Sequence, residues 1–129
     1  MTQAIQDERG QATVEFALIL PVLLLLVLGI IEFGKAWNLA QVATDAVREG
    51  ARRCVIADPT ITQAMVEIDI KNRMAQAGVP TTVTTVQFEG DCESSDQPVR
   101  ITARVPYSWM FFRLLDPITL TSSFTMRNE

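Results

Sequence analysis

Histidine is absent from this chain of 129 residues. That removes the commonest general base and the commonest metal ligand. Lysine is scarce: Lys35 and Lys71 both follow helical polar faces, so a Ser/Lys hydrolase has no marked loop to occupy. No basic run exceeds Arg52 and Arg53, and the formal net charge is −4. The broad cationic surface of a nucleic-acid binder is missing, and no nucleic-acid partner is expected. What is left for catalysis is a perturbed carboxylate in a pocket, which a sequence does not display. The composition therefore points to a non-enzyme, with no cofactor expected.

Cysteine is also sparse, with Cys54 and Cys92 far apart and wrongly spaced for a CxxC redox or zinc site. With a membrane segment ahead of both and the N-terminus inside, the pair would lie outside the cytoplasm and could oxidise. Closing so long a loop would stabilise the fold by roughly 4 kcal/mol on the chain-entropy model. Two unpaired buried cysteines are the other possibility.

What the chain does contain is RGQATVEFALILPVLLLLVLGIIEFGKAW, residues 9–37, with no charge between Glu15 and Glu32. As a helix, Phe16 to Ile31 would span about 24 Å, short of a hydrocarbon core of about 30 Å. Extension to Trp37 makes up the length, giving a span of about 16–37 with Glu32 and Lys35 near the interface. A cleaved secretory signal would need a basic leader and a small-x-small site. Here the flank reads IIEFGKAW and the leader holds Asp7 and Glu8. Pro21 leaves the Ala17 carbonyl without its donor, so a helix kink is expected there.

The remaining chain has room for one small domain on this anchor. Residues 1–10 (MTQAIQDERG) are polar and without pattern, a leader or loose tail. Beyond the run, Ala36, Ala40, Ala43, Val47, Gly50 and Cys54 recur every three or four residues, predicting one long helix over 11–57. Its stripe of small side chains suits either the protein's own sheet or a neighbouring helix. Asp58 and Pro59 are expected to cap and open a second helix whose apolar face carries Ile61, Ala64, Met65, Ile68 and Ala75, closed by Gly78 and Pro80. The period then changes to two: 81–89, 99–107 and 118–126 predict three strands of an antiparallel sheet. The expected fold class is α+β, with an extracytoplasmic domain at 58–129 packed on the second half of the long helix. The connection SWMFFRLLDP is too apolar for a solvent loop, and reads as core filling or as a patch touching lipid or a partner.

Glu15 stands at the fifth position after Gly10, with Arg9 before that glycine and the apolar run directly behind. Here the sequence resembles a type IV prepilin, in which a membrane peptidase cuts after a leader glycine and a glutamate at mature position five aids assembly. The resemblance implies a cut between Gly10 and Gln11, with Glu15 and Phe16 as mature residues five and six. An unpaired carboxylate drawn into hydrocarbon costs a few kcal/mol, so it favours a neighbour offering a cation, such as the new amino terminus of an adjacent subunit.

A closer resemblance covers nearly the whole chain. Gly10, Gln11, Val14, Glu15, Phe16, Ala17, Leu18, Leu20, Pro21 and Leu23, then Gly29, Glu32, Phe33 and Gly34, resemble the pattern of the TadE-like minor pilins or pseudopilins of the Tad (Flp-type, tight-adherence) pilus system. A later step, Ala43, Ala46, Arg48, Glu49, Gly50, Ala51 and Arg52, resembles the same family. The likeness implies a pilin-like, single-pass subunit that supports pilus assembly and adherence. Its implied partners are a prepilin peptidase, other Tad pilus subunits and assembly machinery, and the lipid bilayer. Counting Lys35, Arg48, Arg52 and Arg53 after the run would place the C-terminal part inside. A cysteine pair and a sheet fit an exterior domain, and Asp45 and Glu49 offset several of these charges. The expected orientation is therefore N-terminus cytoplasmic and C-terminal domain periplasmic or extracellular.

The rival is a membrane-anchored periplasmic domain that never enters a filament and binds calcium at Glu89, Asp91, Glu93 and Asp96. Those acids alternate like the start of a calcium loop but lack its central glycine and closing glutamate. A solvated acidic turn is the simpler reading.

Overall fold

The structure is a computed structural model that describes residues 2–56, 60–92, 97–112 and 115–127, with main chain only for 2–9. Helix α1 runs Thr2–Val55 and α2 Gln63–Gln76, followed by strands β1 Thr85–Glu89, β2 Val99–Tyr107 and β3 Ile118–Met126. The fold is α+β, a long apolar N-terminal helix, a second helix and a three-stranded antiparallel sheet in the order β1-β2-β3. The chain divides into two compact units, residues 1–34 and 35–129.

The first unit is helix from Thr2 onward, so the residues read as a leader or a loose tail are helical from Thr2. Ala4, Gln3, Gln6 and Glu8 are good helix formers, and adding residues to an existing helix avoids the cost of nucleation. Helix α1 also continues through Pro21.

The second unit is built on β2. Val99, Ile101, Ala103, Val105 and Tyr107 are all buried, while Arg100, Arg104 and Pro106 on the other face are exposed. That is the period-two alternation of a sheet with one wet face. Pro106 sits past Arg104, the last β2 residue paired with β1, so its missing N–H costs that ladder nothing. Against the buried face lie Leu39, Ala43, Ala46, Val47, Ala51 and Cys54 of α1, in one core with Val66, Ile70 and Met74 of α2. The small-residue stripe is thus used within the chain, by its own sheet and its own second helix. Polar contacts complete the join: Ser122 Oγ donates to Thr44 Oγ1 at 3.1 Å, and the Arg48 guanidinium lies 5.4 Å from the Phe124 ring centre.

Helix α2 departs from expectation at its start and in its buried face. Its N-cap is Thr62, whose hydroxyl accepts from the Met65 amide at 3.4 Å; Asp58 and Pro59 lie outside the described residues. Val66, Ile70 and Met74 are buried, whereas Met65 and Ile68 are exposed. Both rows have helical spacing. The buried row wins because its i, i+4, i+8 side chains reach α1 at Gly50, where a Cβ would come within 2.9 Å of Ile70 Cδ1 and 3.1 Å of Val66 Cγ1.

The helix closes as expected at Gly78, whose amide donates to the Ala75 carbonyl at 3.0 Å while that of Val79 donates to the Met74 carbonyl, also at 3.0 Å. Gly78 takes φ +88°, a left-handed conformation that costs a Cβ-bearing residue roughly 1 kcal/mol. Gly78→Ala is expected to destabilise the second unit by about that amount, read as a fall of several degrees in the thermal midpoint of detergent-solubilised protein. A turn in which the Val83 amide donates to the Pro80 carbonyl at 3.2 Å occupies the start of the predicted first strand, so β1 begins at Thr85.

The connection between β2 and β3, read as core filling or as an exposed patch, has described residues of both kinds. Trp109 stands edge-on to Tyr107, ring centres 5.5 Å apart, and its Nε1 donates to the Asp116 carbonyl at 2.9 Å. Met110, Phe111 and Leu115 are exposed.

Candidate membrane-anchor and assembly segment

A charge-free run of Leu, Ile and Val forms helix readily but gains nothing in water from leaving its side chains uncovered. In the first unit they are uncovered: Val14, Phe16, Leu18, Ile19, Val22 and Leu25 are each at least half exposed. None of the most apolar stretch of α1 is buried within the protein. An apolar surface of that size on every side of one helix suits hydrocarbon. The single long apolar N-terminal helix fits a membrane anchor.

At the head of this surface, Gln11 Nε2 donates to Glu15 Oε1 at 3.1 Å, one turn apart on an exposed face. Gly10 has no atom within 4 Å of where a Cβ would stand. A side chain there would meet no steric barrier, so packing gives no reason for a glycine. The sequence-predicted residues Gly10, Gln11, Glu15 and Phe16 therefore lie together on one helix segment, with Phe16 exposed and the carboxylate bordering the apolar surface. Chemically, the segment presents an acceptor that becomes more demanding of a cation as water is withdrawn.

At the other end of the run, Glu32, expected near the interface, is buried. Lys35 donates to the Met110 sulfur at 3.0 Å and lies 5.7 Å from the Phe111 ring centre. Neither feature has a signal in the sequence beyond the apolar composition of the loop that carries Met110 and Phe111.

Cys54, in the last turn of α1, and Cys92, between β1 and β2, form a disulfide across a sequence separation of 38. Of the acidic turn, Glu89 faces Arg100 at 3.9 Å, and the Gln63 amide donates to the Gly90 carbonyl at 3.0 Å and to Asp91 Oδ1 at 3.5 Å. Glu93 and Asp96 lie outside the described residues. Among the described residues, no three acidic or cysteine side chains gather as a metal would require. Arg53 binds both Glu49 and Asp69, joining α1 to α2 through an exposed pair of the kind that contributes little to stability.

Residues 10–52 match the model of a protein family described as TadE-like protein. No curated protein and no solved structure matches the chain. The matched segment runs from Gly10 through the run to the small-residue stripe and leaves the rest of the chain unmatched. Over this segment, about a third of the chain, the protein is similar to that family.

Proposed function

We propose that the protein is a structural or assembly subunit of a Tad pilus, a minor pilin or pseudopilin whose leader a prepilin peptidase removes after Gly10. The observation that carries this reading is an exposed carboxylate, Glu15, five positions beyond Gly10 at the border of an uncovered apolar helix within the TadE-like segment. Cleavage would leave Gln11 with a free amino group. The Gln11 side chain already serves the Glu15 of its own chain, so the amino group is free to serve the Glu15 of a neighbour. In a bilayer that pairing removes a penalty of a few kcal/mol and sets the register of one helix against the next. The second unit then stands on the exterior side, where the Cys54–Cys92 disulfide is stable. Its work is assembly in support of adherence rather than catalysis.

The test is the intact mass of the protein from the membranes of its own bacterium, with two variants. Gly10→Ala is expected to remain full length. Glu15→Ala is expected to shorten like the parent, losing Met1 to Gly10, while its recovery in sheared pili or assembly complexes falls at least tenfold. An energy of a few kcal/mol per subunit contact corresponds to a change on the order of tenfold or more. Normal shortening of Gly10→Ala would remove the processing step from this reading. Undiminished assembly of Glu15→Ala would remove the role given to that carboxylate, and absence of the parent protein itself from sheared pili and assembly complexes would favour an anchored domain that enters no filament.

A further inference from the structure

The connection between β2 and β3 holds its apolar side chains outward in a particular place. Met110 and Leu115 are more than half exposed and Phe111 nearly half. A solvent loop does not display three neighbouring large apolar side chains without a use for them. Their position follows from Lys35, whose ammonium group contacts both the Met110 sulfur and the Phe111 ring. Lys35 is four residues beyond Ile31, where the charge-free run ends. Chain connectivity therefore keeps it close to that run, whatever the angle between the two units.

We propose that Met110, Phe111 and Leu115 form a second, monotopic contact with the membrane surface, seating the folded unit on the lipid beside its own anchor. This rests on the reading of residues 16–37 as membrane-spanning. The occupant is lipid because the patch adjoins a residue that must lie at the lipid boundary, and because its chemistry suits that boundary. Lys35 beside the patch is cationic, so the surface offers apolar tips with a positive charge at the level of the headgroups. Trp109, with its ring on Tyr107 and its N–H satisfied by Asp116, holds the base of the loop. The patch therefore approaches lipid as a preformed surface, at little cost in ordering.

The experiment reads the depth of a single tryptophan in the full chain, reconstituted in phosphatidylcholine nanodiscs. The two native tryptophans are Trp37 and Trp109. Trp37→Phe serves as background, and the Trp109 signal is subtracted using that variant alone. Phe111→Trp is the probe, with Met110→Trp as a second should the first lower the thermal midpoint, and Leu25→Trp reports the anchor. Quenchers are lipid brominated near the headgroup end of its acyl chains, and acrylamide in the water. The loop probe is expected to be quenched about threefold by the brominated lipid and little by acrylamide, as for a side chain buried at the headgroup boundary. Strong acrylamide quenching without lipid quenching, while the anchor probe is quenched by lipid, would overturn the contact and leave the anchor standing. Protection from both quenchers would also overturn it, by showing that a second copy of the chain covers the patch. An anchor probe that brominated lipid does not quench would remove the membrane reading itself, and this contact with it.

Discussion

Replacing Cys54 and Cys92 together by alanine is expected to lower the stability of the second unit by about 4 kcal/mol. The bond spans 38 residues and ties the last turn of α1 to the connection between β1 and β2, two places far apart along the chain. Without it, the unfolded ensemble regains the freedom of that whole loop. Alanine is preferred to serine because Cys54 is buried and a hydroxyl there would add its own desolvation cost. For a unit of this size the loss corresponds to roughly 4–8 °C per kcal/mol, so the thermal midpoint of the detergent-solubilised protein is expected to fall by more than about 15 °C. The parent measured in excess reductant should fall to match. A drop below about 5 °C would show that the helices already hold the loop closed without the bond.

Gly50→Leu is expected to cost about 3 kcal/mol, at the upper end for overpacking. A bare Cβ at Gly50 already meets Ile70 Cδ1 at 2.9 Å, Val66 Cγ1 at 3.1 Å and Ile70 Cγ1 at 3.3 Å. Both partners are about 1% exposed, so neither can swing into solvent, and α1 and α2 must separate to admit the larger side chain. Gly50→Ala should be much milder, because about 1 kcal/mol of helix propensity is gained at the same position. If the crowding is the cause, Ile70→Val should be less damaging in the Gly50→Leu background than alone, a coupling visible in a double-mutant cycle of thermal midpoints. Additive effects would show that the helices already stand far enough apart for both.

The legible parts of the protein are those with local causes. Strands β2 and β3 span 99–107 and 118–126 in sequence pattern and structure alike, because alternation with a period of two is written into neighbouring residues. The stop at Gly78 is legible for the same reason, since a left-handed turn is a property of one residue. The apolar run and the spacing from Gly10 to Glu15 are distances along a chain, which no later packing changes.

The second helix was half legible. Its existence followed from periodicity, but Met65 with Ile68 and Val66 with Ile70 and Met74 offer two competing rows, and helical spacing does not say from which side a partner arrives. Gly50 weighs in the decision, because its missing Cβ lets Val66 and Ile70 of α2 pack directly against α1.

By itself, then, the sequence determined an uncovered apolar helix, the carboxylate at its head, the turn glycine and the strands, because each depends on residues near one another in the chain. Only the tertiary structure decided which face of α2 is buried, that the small-residue stripe of α1 is filled from within, that Glu32 is buried, and that Met110 and Phe111 stand outward beside Lys35. Those outcomes depend on which surfaces meet across long separations, and composition leaves several pairings open that packing resolves into one.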